Sequence, residues 1–264
     1  MSDNGELAGK VVIVTGGTMG IGFGMATRLA KHGASVLITS RHADTGEAAL
    51  GRLRSAAGCP PGQVAYCRMD VTSEPDQERL VRTAVDTFGR LDAIINNAVN
   101  PGDFQLLADE SLAAFEDVMR ANVTGTWLGM KHAIRQFLAQ GAGAGAGYSI
   151  VNVSSGATRD PGLRMGPYIA SKLAVEGLTR AASLEYAGRG IRVNTLLFGV
   201  FATEKAQALH EALPAMREKN AAKHPVGRFG DPEADAGEAA AYLVSARSGF
   251  ITGTTLVVAG GMCA

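Results

Sequence analysis

Short apolar runs alternate along the chain with longer segments of helical spacing, and this alternation constrains the fold more than any other feature of the sequence. The runs are rich in Val and Ile and are apolar at consecutive positions, which is typical of strands covered on both faces. They lie at Val11–Thr15, Ser35–Thr39, Val64–Met69, Ala93–Asn97, Ser149–Ser154, Arg192–Leu197 and Thr255–Val258. The helix-compatible segments between them are Ile21–His32, Thr45–Ala57, Pro75–Phe88, Ser111–Gln140, Pro167–Ala187 and Pro232–Ser245. The sequence therefore predicts a doubly wound α/β fold, with a parallel sheet of about seven strands and helices on both faces.

No linker or change of composition divides the 264 residues, so the sequence predicts a single domain over residues 1–264. Two segments depart from the regular alternation. Gly141–Gly147 reads GAGAGAG, which is typical of a flexible connector. Thr203–Arg228 follows a predicted strand end, where open α/β sheets bind ligands, and it contains Pro214 and Pro225. We expect a substrate lid at about residues 200–228, the alternative being a plain surface excursion.

The charge balance and the cysteine pattern exclude several classes of function. Acidic and basic residues number 25 each, which argues against a nucleic-acid or anionic-membrane partner. The first ten residues carry Asp3 and Glu6 and no apolar run, and no stretch of about 18 apolar residues occurs, so we expect neither a signal peptide nor a spanning helix. The cysteines Cys59, Cys67 and Cys263 are scattered, so neither a disulfide framework nor a metal site is expected. These features favour a cytoplasmic protein.

A glycine-rich turn, Thr15–Gly22, reads TGGTMGIG directly after the first predicted strand and opens a predicted helix. Phosphate binding requires a tight turn, an approach free of side chains and the positive end of a helix dipole, and this segment offers all three. The spacing of Gly16, Gly20 and Gly22 differs from GxGxxG. Its position in the alternating pattern nevertheless favours dinucleotide binding over a purely structural turn.

The end of the second predicted strand bears on the choice of dinucleotide. Ser40, Arg41 and His42 follow that strand, where an acidic residue would bind the ribose hydroxyls of NAD. A guanidinium can instead grip a 2′-phosphate with two hydrogen bonds. The sequence therefore predicts NADP(H) in preference to NAD(H), which remains the alternative cofactor, as does a solvated loop role for Arg41.

Tyr168 and Lys172 are candidates for proton transfer because they lie four residues apart in a predicted helix and project from one face. A nearby ammonium favours the phenolate, so we expect it to lower the tyrosine pKa from about 10. Ser155 lies thirteen residues before Tyr168, at a predicted strand end, and can hydrogen-bond a substrate oxygen. The tyrosine–lysine pair alone is better explained as an exposed helix face, but Ser155 and the glycine turn favour catalysis.

Taken together, these motifs resemble the short-chain dehydrogenase/reductase family over essentially the whole chain. Further matching pieces are NNA at Asn96–Ala98, NVSS at Asn152–Ser155, YIASK at Tyr168–Lys172 and RVN at Arg192–Asn194. The resemblance implies a Rossmann-type fold and an oxidoreductase, a ketoreductase or alcohol dehydrogenase, that interconverts a small-molecule carbonyl and a secondary alcohol by hydride transfer. It also implies a homotetramer or homodimer. A dinucleotide-binding protein without catalysis is the alternative from another class.

The resemblance also implies roles for residues that spacing alone does not single out. Asp70 and Val71 would contact the adenine, Asn122 would anchor a water in a proton relay, Lys172 would also hold the nicotinamide ribose, and Thr203 would bind the carboxamide. The full set expected at the cofactor is Gly16, Thr18, Met19, Gly20, Ile21, Gly22, Ser40, Arg41, Asp70, Val71, Asn97, Ala98, Tyr168, Lys172, Gly199 and Thr203. The expected substrate residues are Ser155, Arg159, Arg164, Phe198 and Phe201.

Four positions depart from the pattern of the family. They are Met19, Val99, Phe198 and Ala259. Met19 replaces a basic residue, which leaves the 2′-phosphate to Arg41 and His42, and Phe198 stands where a proline is usual. Arg159 and Arg164 could steer an acidic or carrier-linked substrate, although a solvated loop face is the favoured alternative. The sequence does not distinguish between sugar, steroid, polyketide and acyl-thioester substrates.

Overall fold

Seven parallel strands form one sheet in the order β3-β2-β1-β4-β5-β6-β7. The computed structural model describes residues 5–143, 145 and 147–263. Its strands are β1 (Val11–Val14), β2 (Ser35–Ser40), β3 (Val64–Arg68), β4 (Ala93–Asn96), β5 (Tyr148–Ser155), β6 (Ile191–Phe198) and β7 (Thr255–Val258). The direction of strand succession reverses between β1 and β4, so a crevice opens there at the carboxyl ends of the strands. The predicted Rossmann-type parallel sheet is confirmed.

Nine α-helices accompany the sheet in the described part of the chain. They are α1 (Gly20–Lys31), α2 (Ala43–Ala57), α3 (Glu74–Phe88), α4 (Leu112–Met119), α5 (Gly125–Ala139), α6 (Gly166–Tyr186), α7 (Glu204–Ala212), α8 (Pro214–Ala222) and α9 (Glu238–Val244). Buried residues of α1, α2 and α9 pack on one face of the sheet, and those of α3, α5 and α6 pack on the other. Helices therefore cover both faces, as predicted.

The central strand β1 explains why the strand runs are apolar at consecutive positions. Val12 and Val14 belong to the core beneath α1, whereas Val11 and Ile13 belong to the core on the opposite face. All four side chains are at most 3% exposed, because successive residues of a strand point to opposite faces and both faces are covered.

The predicted helix Ser111–Gln140 is interrupted in the structure. A π-type turn at Arg120–Thr124 separates α4 from α5. The wider turn holds the side chain of Asn122 inside the protein, where it is 1% exposed. Turns of this type insert an extra residue and recur at functional sites, which directs attention to this point of the chain.

The segment predicted as a lid contains the two helices α7 and α8. Thr203 caps α7, since its Oγ1 accepts a hydrogen bond from the Ala206 N–H at 3.2 Å. Pro214 begins α8, where a missing N–H costs nothing. At the base of the segment, the Ala202 N–H donates to the Gly230 carbonyl at 2.8 Å. We call residues 203–228 the lid from here on.

The predicted connector Gly141–Gly147 lies partly outside the described residues, which lack Ala144 and Ala146. Gly141 forms a turn directly after α5, and β5 begins at Tyr148. Among the described helices, none combines the length and the apolar character needed to cross a bilayer.

Candidate active site

The glycine turn connects β1 to α1, and no glycine side chain separates its backbone from the crevice. Gly16 and Gly20 adopt φ angles of +63° and +54°, which side chains rarely tolerate. A Cβ on Gly16 would lie 3.0 Å from the Ala98 Cα, and one on Gly20 would lie 3.4 Å from the Thr203 Cγ2. The turn is thus held between the segment after β4 and the first residue of the lid, with the amino terminus of α1 at its end.

Polar contacts at the reversal point of the sheet fix the shape of this turn. Thr15 Oγ1 accepts hydrogen bonds from the Asn97 and Ala98 N–H groups at 2.9 and 3.1 Å. The Asn97 side-chain amide donates to the carbonyl of Thr15 at 2.9 Å and to that of Gly16 at 3.2 Å. The side chain of Asn97 therefore fixes the backbone at the start of the glycine turn.

The remaining expected residues of the turn lie in and around the first turn of α1. Thr18 and Gly22 are buried, Ile21 packs partly against the core, and Met19 is 56% exposed. Asp70 follows β3 and is fixed by Thr72, whose N–H and hydroxyl both donate to its Oδ1, at 2.9 and 2.8 Å. Val71 lies against Gly125 at the start of α5.

Two arginines lie at the neighbouring ends of β2 and β3: Arg41 follows β2, and Arg68 ends β3. Arg41 is exposed, and its carbonyl accepts a hydrogen bond from the Nε of Arg68 at 3.1 Å. Strand pairing places Arg68 beside Ser40. The Ser40 hydroxyl lies 3.2 Å from that of Tyr66. Sequence reasoning missed Arg68, although its position at the end of the next predicted strand was the available signal.

Tyr168, Lys172 and Ser155 meet above the carboxyl end of β5. Ser155 is the last residue of that strand, and its hydroxyl lies close enough to the phenol of Tyr168, in the first turn of α6, to influence the pKa of that phenol. Lys172 is 3% exposed, and its Nζ donates to the Val153 carbonyl at 2.8 Å. The same Nζ lies 5.8 Å from the centre of the Tyr168 ring. The three side chains that the sequence singled out are therefore neighbours.

Burial dominates the protonation of this group. It raises the pKa of Tyr168, and the hydrogen bond from Ser155 opposes this only in part. Burial also lowers the pKa of Lys172 to about 8. The lowering of the tyrosine pKa that the sequence predicts is therefore wrong: loss of hydration sets the direction of the shift. At neutral pH Tyr168 is therefore a phenol with a proton to donate.

Comparison with known proteins decides the family. A family model described as enoyl-(acyl carrier protein) reductase matches residues 16–263. The 2,5-dichloro-2,5-cyclohexadiene-1,4-diol dehydrogenase of Sphingobium indicum is 38% identical to the chain, over 98% of this chain and 99% of the relative. Dehydrogenase/reductase SDR family member 4 of Bos taurus is 37% identical over 99% of this chain and 90% of its own. The chain belongs to the short-chain dehydrogenase/reductase family.

A third member, 2-(S)-hydroxypropyl-CoM dehydrogenase 3 of Xanthobacter autotrophicus, is 35% identical over 98% of both chains. Membership in this family confirms the predicted class of reaction. The chain is an NAD(P)-dependent oxidoreductase that interconverts alcohols and carbonyl compounds.

The Asn122 side chain bonds to the segment after β4 and to α6. Its Oδ1 accepts from the Asn100 N–H at 2.7 Å, and its Nδ2 donates to the Asn100 carbonyl and to the Ser171 hydroxyl, both at 2.9 Å. Ser171 precedes Lys172 on α6. Asn122 therefore ties the segment after β4 to the helix that carries Tyr168. Its role in a proton relay stays a prediction.

The expected substrate residues fall into two groups. Phe198 and Phe201 are 3% and 4% exposed and pack edge to face in the core beneath α1, with ring centroids 5.0 Å apart. Arg159 is half exposed and pairs with Glu176 at 3.3 Å, and Arg164 is exposed at a loop tip. The two phenylalanines thus support the floor of the site, whereas the arginines lie at its rim.

Two further residues around the site escaped the sequence reasoning. Arg52 of α2 donates to the Thr18 carbonyl at 2.9 Å and pairs with Glu204 at 3.4 Å, so it joins the glycine turn to α7. His224 is 3% exposed, and its Nε2 accepts from the Val200 N–H at 3.1 Å while its Nδ1 donates to the Asn220 carbonyl at 2.8 Å. The contacts of Arg52 and the bond between Val200 and His224 join segments far apart in sequence, which no local motif reveals.

We expect His224→Leu to loosen the lid. The substitution leaves the Val200 N–H without an acceptor, and an unpaired buried donor costs about 1–3 kcal/mol. Limited proteolysis should cut within residues 203–228 several times faster than in the parent protein. His42→Leu, at an exposed position, serves as control. Unchanged cleavage of the His224 variant would show that this contact does not hold the lid.

Proposed function

We propose that the chain is an NADP(H)-preferring ketoreductase or alcohol dehydrogenase that uses Tyr168 as general acid and base. The observation that carries this proposal is the meeting of Tyr168, Ser155 and Lys172 at the carboxyl end of β5, above the crevice that the glycine turn borders. Open α/β sheets bind ligands at this edge.

The residues present fit a nicotinamide dinucleotide. The bare backbone of the glycine turn and the amino terminus of α1 suit a pyrophosphate, and a side chain at Gly20 would fill the gap that separates the turn from Thr203. Asp70 and Val71 would border the adenine, and Gly199 and Thr203 would border the nicotinamide. When bound, the dinucleotide supplies or accepts the hydride.

The side chains handle the proton. During reduction, Ser155 would donate a hydrogen bond to the substrate carbonyl oxygen, and Tyr168 would transfer its phenolic proton to that oxygen. During oxidation the same proton returns to the phenolate. Lys172 stabilises the phenolate by its positive charge, and Asn122 holds α6 in place for this. A positioned acid or base of this kind contributes about 10²–10⁴-fold to the rate.

The preference for NADP(H) rests on charge at the end of β2. Arg41 and Arg68 are adjacent there, and no carboxylate follows the strand in the segment Ser40–His42. Two guanidinium groups favour a 2′-phosphate, because charge-assisted hydrogen bonds from arginine to phosphate are strong and can be bidentate.

We expect Arg41→Asp to raise the KM for NADPH by about 10–100-fold while the KM for NADH changes less than about threefold. The substitution removes a charge-assisted hydrogen bond, about 1.5–3 kcal/mol, and adds repulsion. Initial rates with each dinucleotide measure the effect. Arg54→Asp, an exposed arginine near the end of α2, is the matched control. Equal increases for both dinucleotides would remove Arg41 from phosphate recognition.

The experiment that tests the function combines binding with turnover. Purified protein is titrated with NADPH and with NADH, and the consumption of each is then followed with a panel of ketones and, in reverse, of secondary alcohols. Tighter binding of NADPH with turnover of panel members supports the proposal. Tight binding without turnover would favour a dinucleotide-binding protein that lacks catalysis.

We propose that the protein is cytoplasmic and folds as a single domain. We also propose that it assembles as a homotetramer or homodimer through α4, α5 and α6. Trp127 of α5 is 45% exposed, and Leu112, Phe115 and Leu173 on the neighbouring helices are also exposed. Val118 and Leu128, in contrast, are core residues. Light scattering coupled to gel filtration measures the assembly directly.

A further inference from the structure

The lid spans the site from the cofactor turn to the loop after Ser155. At its start, Thr203 lies against Gly20. At its far end, Lys223 Nζ lies 2.5 Å from the Asp160 carboxylate, in the loop that joins β5 to α6. The lid and this loop therefore border the edge of the sheet at which Ser155 and Tyr168 lie, and we call this edge the entrance.

Two of the cations at this entrance, Arg159 and Lys223, are already paired with carboxylates of the chain. Asp160 pairs with Lys223, as described, and Glu176 pairs with Arg159 at 3.3 Å. Glu176 is 3% exposed and also accepts hydrogen bonds from the hydroxyls of Ser154, at 2.7 Å, and Thr158, at 3.1 Å. An anionic substrate would have to compete with these carboxylates for their partners.

Apolar side chains concentrate at the same entrance. Among the described residues, nine of the seventeen large hydrophobic side chains that are exposed lie in the three segments that follow β4, β5 and β6. They include Leu107, Leu163, Leu213 and Met216. Exposed apolar surface gathered in one region marks a binding site.

These three segments contact one another. The ion pair of Asp160 and Lys223 joins the second segment to the third. The first segment reaches α6 directly after the second, since a Cβ on Gly166 would lie 3.0 Å from the Leu107 Cδ1. The three segments, with their exposed apolar side chains, therefore lie together at the carboxyl edge of the sheet. Arg164, the remaining cation of the loop after β5, is exposed at the loop tip, so its guanidinium is free to stay in water.

We infer that the substrate is uncharged and apolar around its reacting carbon, in the class of cyclic or aryl-substituted ketones and secondary alcohols without a carboxylate, phosphate or carrier group. This inference rests on the proposed function for the reaction itself. An apolar ring gains by leaving water for the entrance, whereas an anion loses hydration and meets Arg159 and Lys223 already paired with carboxylates.

A matched pair of ketones tests the inference. 4-Methylcyclohexanone and 4-oxocyclohexanecarboxylate share a ring and differ in a methyl group against a carboxylate. We expect kcat/KM with NADPH to be at least about 10-fold higher for the methyl compound, within the range by which apolar pockets discriminate. Equal or higher kcat/KM for the carboxylate would overturn the inference.

Binding to the protein–NADPH complex separates this inference from the proposed function. Both ketones are titrated while nucleotide fluorescence and thermal stability are followed. Tighter binding of the methyl compound without turnover supports the inference and counts against the proposed function. Tighter binding of the carboxylate, or binding of neither, overturns the inference.

Asp160→Asn provides a second measurement, because it frees the Lys223 ammonium at the entrance. We expect kcat/KM for 4-oxocyclohexanecarboxylate to rise about 3–10-fold, with little change for 4-methylcyclohexanone. Asp117→Asn, which unpairs Arg120 on the surface of α4, should change neither. The quantity compared is the ratio of kcat/KM for 4-methylcyclohexanone to that for 4-oxocyclohexanecarboxylate. If this ratio fell in both variants, or in neither, the role assigned to the pair of Asp160 and Lys223 would be wrong.

Discussion

Replacing Tyr168 by phenylalanine is expected to lower kcat by about 10³-fold or more and to change the Kd for NADPH by less than about threefold. The substitution removes one oxygen atom, which is the only group of this side chain that can exchange a proton with the substrate. General acid and base catalysis contributes about 10²–10⁴-fold, so the loss should fall in the upper part of that range. Single-turnover kinetics and nucleotide fluorescence measure the two quantities separately.

Tyr186→Phe is the matched control, because it makes the same change at the other end of α6. The side chain of Tyr186 packs partly against the core on the opposite end of the helix from the site. Its variant should keep both turnover and NADPH binding. If Tyr168→Phe retained parent activity, the proton would have to come from another group, and the proposed mechanism would be wrong.

Replacing Lys172 by methionine should also remove turnover, by about 10²-fold or more, yet make the folded protein more stable at pH 7. Burial lowers the pKa of Lys172 from its ordinary value of 10.5 to about 8, so the folded chain binds this proton less tightly than the unfolded chain. By linkage, folding carries a penalty that is full below about pH 8 and fades between about pH 8 and 10.5.

The size of the stability gain follows from this shift. The shift corresponds to roughly 3 kcal/mol at pH 7, from which the lost hydrogen bond to Val153 subtracts about 1 kcal/mol. Urea unfolding of the protein without nucleotide should show the methionine variant about 1–2 kcal/mol more stable at pH 7 and without that advantage near pH 10. Lys219→Met, at an exposed position of α8, should show no such pH dependence. A less stable Lys172 variant at pH 7 would refute the burial penalty.

The fold was predictable because a strand that is buried on both faces has an apolar residue at nearly every position. In β1 each residue meets a core, so the apolar run is continuous and its edges are clear. The break at Arg120–Thr124 has no comparable sequence pattern, since the residues of a π-type turn have ordinary helical propensities. The extra residue is revealed only by the partners of Asn122, which come from Asn100 and Ser171.

The site was predictable where its residues follow one another in sequence. Tyr168 and Lys172 share a helix face, and the glycine turn is contiguous. Arg52 and Arg68 were missed because strand register and helix packing bring them in from elsewhere. The direction of the Tyr168 pKa was also missed, because spacing identifies the neighbouring charge but does not measure burial.

The backbone contact between Ala202 and Gly230 has a consequence for how such enzymes diversify. This contact holds the two ends of the lid together, so the residues between them form a loop whose ends are fixed. Lengthening a loop of this kind adds little entropic cost, about 0.6 kcal/mol for each doubling. Insertions and exchanges there can therefore accumulate while the sheet and the tyrosine stay in register. The length and sequence of residues 203–228 can therefore vary while the strand ends and the helix of Tyr168 keep their places.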